Sequence, residues 1–339
     1  MSLNFKNVHI LIVEDIMPMR DLTTSVLKAQ GIGKVSYASD GEKGFEAFCH
    51  LNPDIVITDW QMPIMDGLQL VKLIRNNPRS PNKTVPIIMM TGFGSPMKIA
   101  DARDNGITEF LIKPFSAHDI SKRILHIVKH PRDFIVTEKY AGPDRRRKTD
   151  AAAFNGADLR TNETGYKQKI KANHILQAKV GYGNMDEETL NKSQSIIEKN
   201  TFNFLPIASM FLSQLKDGLA IAKQEEIKNR RSIERLINPI MQIKANARIF
   251  KYDLLGNLAA IMLDFLENLN ELDSDATEIV EAHQKTLSHI LTCEMKGEGG
   301  QIGKSLETEL EGACTRYMNT RVTRQKERMQ KLLEQQAAS

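Results

Sequence analysis

Residues 54–67 read Asp-Ile-Val-Ile-Thr-Asp-Trp-Gln-Met-Pro-Ile-Met-Asp-Gly, from Asp54 to Gly67. Ile55 to Thr58 is a short apolar run that ends on a carboxylate, Asp59. A strand this apolar is covered on both faces, as in a parallel sheet. Open α/β sheets bind their ligands just past the carboxyl ends of the strands, so Asp59 stands where chemistry rather than packing is done. Pro63 and Asp66-Gly67 then turn the chain out of the strand and into a helix.

Three further apolar runs repeat this pattern. His9 to Val13 ends in Glu14-Asp15, Val85 to Met90 ends in Thr91-Gly92, and Thr108 to Ile112 ends in Lys113-Pro114. Three acids, a hydroxyl and a lysine therefore gather at one end of successive strands. Three carboxylates in one pocket repel one another unless a cation neutralises them. Hard oxygen donors in that number suit Mg²⁺, which keeps several waters and also takes phosphate oxygens. A lysine supplies a point charge for a phosphate, and one carboxylate is left to act as a nucleophile.

These residues resemble the receiver domain of two-component response regulators, and the chemotaxis receiver type in particular. The matching motifs are Val13-Glu-Asp15, Asp59-Trp-Gln-Met-Pro63 with Met65-Asp-Gly67, Met90-Thr-Gly92, and Phe110-Leu-Ile-Lys-Pro-Phe115. The resemblance implies a flavodoxin-like (βα)5 receiver over residues 5–130, with strand order 2-1-3-4-5. By the same resemblance Asp59 is the phosphoacceptor. Glu14, Asp15, Asp59 and the backbone carbonyl of Gln61 would hold Mg²⁺. Thr91 and Lys113 would bind the phosphoryl group, and Thr91 with Phe110 would form the switch. The implied donor is a sensor histidine kinase or a histidine phosphotransfer protein. In that family the surface around the fourth and fifth strands and helices carries the output, which here implies Lys98, Ile99, Phe110, Ile124 and Ile127.

The chain has 339 residues, too many for one receiver. At 41% hydrophobic and 26% charged residues it has an ordinary soluble composition. A net charge of +4 does not by itself indicate a nucleic-acid partner. Cys49, Cys293 and Cys314 lie far apart, as reduced thiols do, with neither disulfide nor zinc spacing. No apolar run is long enough to span a membrane, and a cytoplasmic location is expected.

Residues 131–186 read as a linker, with a basic cluster from Arg145 to Lys148 and a stretch from Thr149 to Asn184 expected to be irregular. Residues 187–335 read as helices only, an all-α bundle. Its first helix starts at Asp186, carries Ile196, Ile197, Phe202 and Phe204, and should be kinked or divided at Pro206. Ile240 to Phe250 resembles the core of histidine phosphotransfer domains, with Lys244 on that family's lysine. The phosphorylated histidine is missing, because Met241 stands three residues before Lys244. A thioether is no nucleophile in this chemistry. His283 and His289 offer no substitute and read as exposed or satisfied surface histidines.

The expected protein is a phosphorelay response regulator whose helical part binds, docks or forms a homodimer. Whether it acts as an enzyme is left open: the receiver would catalyse its own phosphorylation and dephosphorylation, and no separate output enzyme is seen. The alternatives are a DNA-binding regulator using the Lys228 to Arg231 patch, or a phosphatase of a partner receiver using Gln242 or Asn246.

Overall fold

The computed structural model describes residues 3–92, 105–137, 140–144, 168–225 and 230–337. Chain contacts divide it into two compact units, Met1–Thr201 and Phe202–Ser339. All but the last residue of the expected helix over 96–105, with Lys98 and Ile99, and the basic cluster at 145–148 lie outside the described residues.

The first unit is built on β1 (His9–Val13), β2 (Lys34–Ala38), β3 (Ile55–Asp59), β4 (Ile87–Thr91) and β5 (Glu109–Ile112). The strands pair in parallel in the order β2-β1-β3-β4-β5. Every residue of β3 and β4 is buried, as their unbroken apolar runs require. Helices α1 (Met17–Ala29), α2 (Gly41–Leu51), α3 (Gly67–Asn76) and α4 (Ala117–Lys129) cover the sheet. Phe45, Phe48, Leu70, Val71 and Ile74 bury one face of it against Leu11, Val56, Ile87 and Met89. Each of these side chains contributes roughly 1.5–3 kcal/mol on burial.

Local chemistry fixes where the helices begin. Asp66 accepts the Gln69 amide at 2.7 Å while the Gln69 side chain accepts the Asp66 amide at 3.0 Å, a reciprocal cap that starts α3. Ser116 and Asp119 do the same for α4. Gly67 has no room for a side chain: a Cβ there would lie 2.0 Å from the Asp59 carbonyl. The loop after Asp59 can therefore close tightly.

The described part of the linker departs from expectation, and residues 149–167 of the stretch expected to be irregular lie outside the described residues. Phe134–Val136 (β6), Ala141–Pro143 (β7) and Gln168–Ile170 (β8) form an antiparallel sheet in the order β7-β6-β8. Ile175–Val180 (α5) follows, and the Asn4 amide donates to the Val180 carbonyl at 3.0 Å. Composition suggested irregular chain because β8 is exposed and polar. Its order comes from ladder bonds to β6, a partner some thirty residues away that local propensity does not register.

Buried Arg75 anchors this hairpin to α3. Its guanidinium donates to the Gly106 carbonyl at 2.9 and 3.0 Å and to the Lys83 carbonyl at 2.8 Å, and it lies 5.2 Å from the Phe134 ring centroid. Burial pulls its pKa down to about 9, with Tyr140 opposing, so it keeps its charge at neutral pH. Gly106, at φ +93°, sits so close to the hairpin that a Cβ would lie 2.4 Å from the Ala141 carbonyl. Arg75→Met should cost about 3 kcal/mol, because the buried Gly106 carbonyl loses both of its donors and the Lys83 carbonyl loses one. Urea unfolding followed by circular dichroism would measure this, and a loss under 1 kcal/mol would show the anchor to be weak.

Glu187–Glu198 (α6) packs on α1 and α4 within the first unit. The structure thus divides at 201/202 rather than at 187. The expected helix stops at Glu198, and Pro206 lies in the first turn of a new helix, where its missing N–H costs nothing.

The second unit comprises α7 (Leu205–Gln224), α8 (Arg230–Ala247), α9 (Asp253–Glu267), α10 (Ser274–Thr292) and α11 (Gly300–Ala337). Helices α7, α8, α9 and α10 pack in a closed ring, each on the next, and α11 lies on α9 and α10. Phe204 stacks on Phe250 with centroids 5.4 Å apart and tilts on Tyr252 at 6.3 Å, closing one end. Pro239 lies inside α8, which continues through it. Among the described residues, no helix is long and apolar enough to cross a membrane.

Candidate active site

The carboxyl ends of β1, β3, β4 and β5 bring the expected residues together. Glu14 and Asp15 follow β1, Asp59 closes β3, Thr91 closes β4 and Lys113 follows β5. The Lys113 amide donates to the Thr91 carbonyl at 2.7 Å, and the Trp60 amide donates to the Met90 carbonyl at 2.9 Å. One carboxylate oxygen from each of Glu14, Asp15 and Asp59 falls within 4.8 Å of the other two. Glu14, Asp59, Thr91 and Lys113 are all buried.

Lys113 bridges two of the acids. Its Nζ lies 2.8 Å from Glu14 Oε2 and 3.1 Å from Asp59 Oδ1. Burial works against the ammonium, but Asp59 and Glu14, through charge and hydrogen bonds, hold its pKa above the ordinary lysine value. One ammonium cannot neutralise three carboxylates. Burial, then the charges of Asp59 and Asp15, push Glu14 up to about 8 against the pull of Lys113. Burial and the Asp59 charge push Asp15 up to about 6. Asp15 Oδ1 is buried and has no hydrogen-bond partner among the described residues. An orphaned oxygen in an over-charged, oxygen-rich pocket fits a divalent cation that prefers oxygen ligands, such as Mg²⁺.

The remaining expected residues fall as follows. Gln61 lies on the same loop, two residues past Asp59, and is half-buried. Phe110 is half-buried against the core that holds Met89 and Ile107. Ile124 and Ile127, expected on an output surface, are buried in the core, because helical periodicity cannot distinguish a partner-facing stripe from a sheet-facing one. Met241 is buried at 2% exposure, so this position of α8 faces the inside of the helical unit, while Lys244 is half-buried. Asn246 donates to the Gln242 carbonyl at 2.8 Å, and both amides are buried. His283 is buried rather than on the surface: its Nδ1 lies 2.9 Å from the Ile279 carbonyl, and burial lowers its pKa. His289 is exposed, as expected.

Two features of the site escaped the sequence. The Glu14–Lys113 ion pair joins residues 99 apart, and no spacing rule signals it. Ile64 takes φ +68° in a turn closed by the Met65 amide donating to the Pro63 carbonyl at 2.8 Å, and it is 76% exposed. A β-branched residue in this conformation is strained, and only glycine or asparagine would have announced it. Ile64→Asn should stabilise the protein by about 1 kcal/mol. A thermal melt would read this, and no gain would show that the turn carries no strain.

The response regulator receiver domain profile matches residues 10–125. A chemotaxis protein, CheY-3 of Vibrio cholerae, is 32% identical over 119 residues, spanning 35% of this chain and 90% of that protein. CheY1 of Helicobacter pylori is 32% identical over 116 residues, 34% of this chain and 92% of its own length. The crystallised chemotaxis protein CheY4 of Vibrio cholerae aligns at 29% identity with a TM-score of 0.33, covering 35% of this chain and 98% of its own. With the parallel sheet and the strand-end acids already in place, the profile and the two sequence relatives show that the chain belongs to the response regulator family, its residues 10–125 forming the receiver domain of a two-component system.

Proposed function

We propose that this protein accepts a phosphoryl group on Asp59 from a phosphohistidine of a sensor kinase or phosphotransfer protein. The observation that carries the reading is a buried carboxylate at a strand end, 3.1 Å from a buried lysine and clustered with two further acids. An Asp59 oxygen attacks phosphorus, the phosphorus–nitrogen bond breaks, and the histidine leaves with its electron pair. Lys113 stabilises the charge that spreads over the phosphoryl oxygens, and the Thr91 hydroxyl donates to one of them. Glu14, Asp15, Asp59 and the Gln61 carbonyl would hold Mg²⁺, which when bound screens the anionic pocket against the incoming phosphate. Phe110 follows Thr91 in the switch.

The helical unit is read as a protein-interaction module, through which it binds a partner or a second copy. The burial of Met241 supports a non-catalytic role, since a group there is not presented to an incoming receiver. The burial of Gln242 and Asn246 speaks equally against their use as phosphatase residues.

Hydroxylamine provides the test. Label transferred to the full chain from acetyl phosphate, or from a phosphorylated histidine phosphotransfer protein, should be released by hydroxylamine, as acyl phosphates are. Label that survives hydroxylamine, or no label from either donor, would defeat the reading.

A further inference from the structure

Helix α6 occupies the groove between α1 and α4, and both of those helices start at the rim of the acid pocket. Helix α1 begins two residues past Asp15, and α4 begins at Ala117, four residues past Lys113. The Ala117 amide donates to Gln194 Oε1 of α6 at 3.0 Å. Ser193 and Ile197 are the buried residues of α6, while Leu190 and Ile196 are half-buried. Just upstream, Lys129 donates to Asn184 at 2.5 Å and Ser121 to Met185 at 3.5 Å, which tethers the chain to α4 before the helix starts. Just downstream, only residues 199–201 separate α6 from Phe202, where the helical unit begins.

We propose that the α1–α4 groove is a docking surface whose resident partner is the chain's own α6, and that a phosphoryl group on Asp59 releases this helix. The proposal rests on the reading of Asp59 as the phosphoacceptor. A phosphoryl group brings roughly −1.5 to −2 of charge and three acceptor oxygens into the pocket. Lys113, shared between Glu14 and Asp59 beforehand, is drawn to those oxygens and away from Glu14. Little slack separates Lys113 from Ala117. Pro114 has a fixed φ, Phe115 is buried, and Ser116 is held in the cap of α4. A shift of Lys113 therefore reaches the Ala117 amide, which is the donor that holds Gln194. The seat of α6 is thin, with one isoleucine and one serine buried, which places it at the low-stability end expected of segments that open. Because α6 runs almost directly into the helical unit, its release is felt there along the chain.

Hydrogen exchange read by mass spectrometry on the full chain tests this. Acetyl phosphate with Mg²⁺ should speed exchange of the α6 amides at least tenfold, and the Asp59→Asn chain should show no change under the same treatment. Gln194→Ala should loosen α6 about fivefold without any phosphoryl group, as expected for one lost hydrogen bond, and should blunt the response to acetyl phosphate. Intact mass is recorded on every sample. Phosphorylated chain whose α6 amides exchange at an unchanged or slower rate would overturn the proposal. A chain that gains no phosphoryl mass would instead bring down the phosphoacceptor reading beneath it.

Discussion

Asp59→Asn should abolish phosphoryl gain from acetyl phosphate and Mg²⁺ while leaving the receiver folded. Asparagine matches aspartate in size, so the buried position at the end of β3 stays filled. The amide has no anionic oxygen to attack phosphorus, and the loss should be complete rather than graded. The ion pair between Lys113 and Glu14, 2.8 Å apart, survives the change and keeps the lysine partnered. Intact mass under acetyl phosphate, beside light-scattering size, reads both chemistry and assembly. Wild type that gains the phosphoryl group and changes size would point to a helical unit that assembles on phosphorylation. Gain without a change in size would point to docking of a separate partner. A phosphoryl gain that persists in Asp59→Asn would remove Asp59 from its role.

Asp15→Asn should trade metal response for stability. In the metal-free protein burial and the neighbouring acids raise both Glu14 and Asp15, Asp15 to about 6 from an ordinary 3.8. The folded state therefore holds protons that the unfolded chain has already released, and stability falls as pH rises from about 4 through about 6. Removing the Asp15 carboxylate removes its share of that loss. A carboxyl raised from 3.8 to about 6 corresponds to about 3 kcal/mol gained by the metal-free protein at pH 8 when it is removed. Mg²⁺ should stabilise wild type, and more so at pH 8 than at pH 5, since it competes with protons for the same oxygens. The variant should lose this response. Trp60 is the only tryptophan in the chain and adjoins Asp59, so its fluorescence gives a second reading of Mg²⁺ binding. A variant that is less stable than wild type at pH 8 without metal, or that still responds to Mg²⁺, would contradict the account of Asp15 as an over-charged, metal-seeking oxygen.

Both predictions start from residues that were legible in the primary structure. Asp59, Glu14, Asp15, Thr91 and Lys113 each follow or close an apolar run, and a parallel sheet delivers the ends of such runs to one edge. The sharing of Lys113 between Glu14 and Asp59 was not legible, because it depends on side-chain reach across neighbouring strands. Ile64 shows a different limit. Its positive φ goes with the three-residue turn closed by the Met65 amide on the Pro63 carbonyl and runs against its own preference.

The helices of the second unit were also legible, since 3.6-residue periodicity is a local property. Which surface each helix covers was not. Helix α6 has the composition of a bundle helix yet lies on the receiver, and β8 reads as loose polar chain yet completes a sheet. Buried Arg75 looks like any surface arginine until the hairpin from Phe134 to Pro143 closes over it. The primary structure carried the apolar runs of the receiver in chain order and the acids, hydroxyl and lysine that end them, because apolar period and strand-end residues are written along the chain, while the order of strands across the sheet came with the family resemblance. Tertiary contacts decided where the first compact unit ends and what lies against the receiver, because a thin, partly polar contact is selected by the surface it meets and leaves no periodic mark of its own.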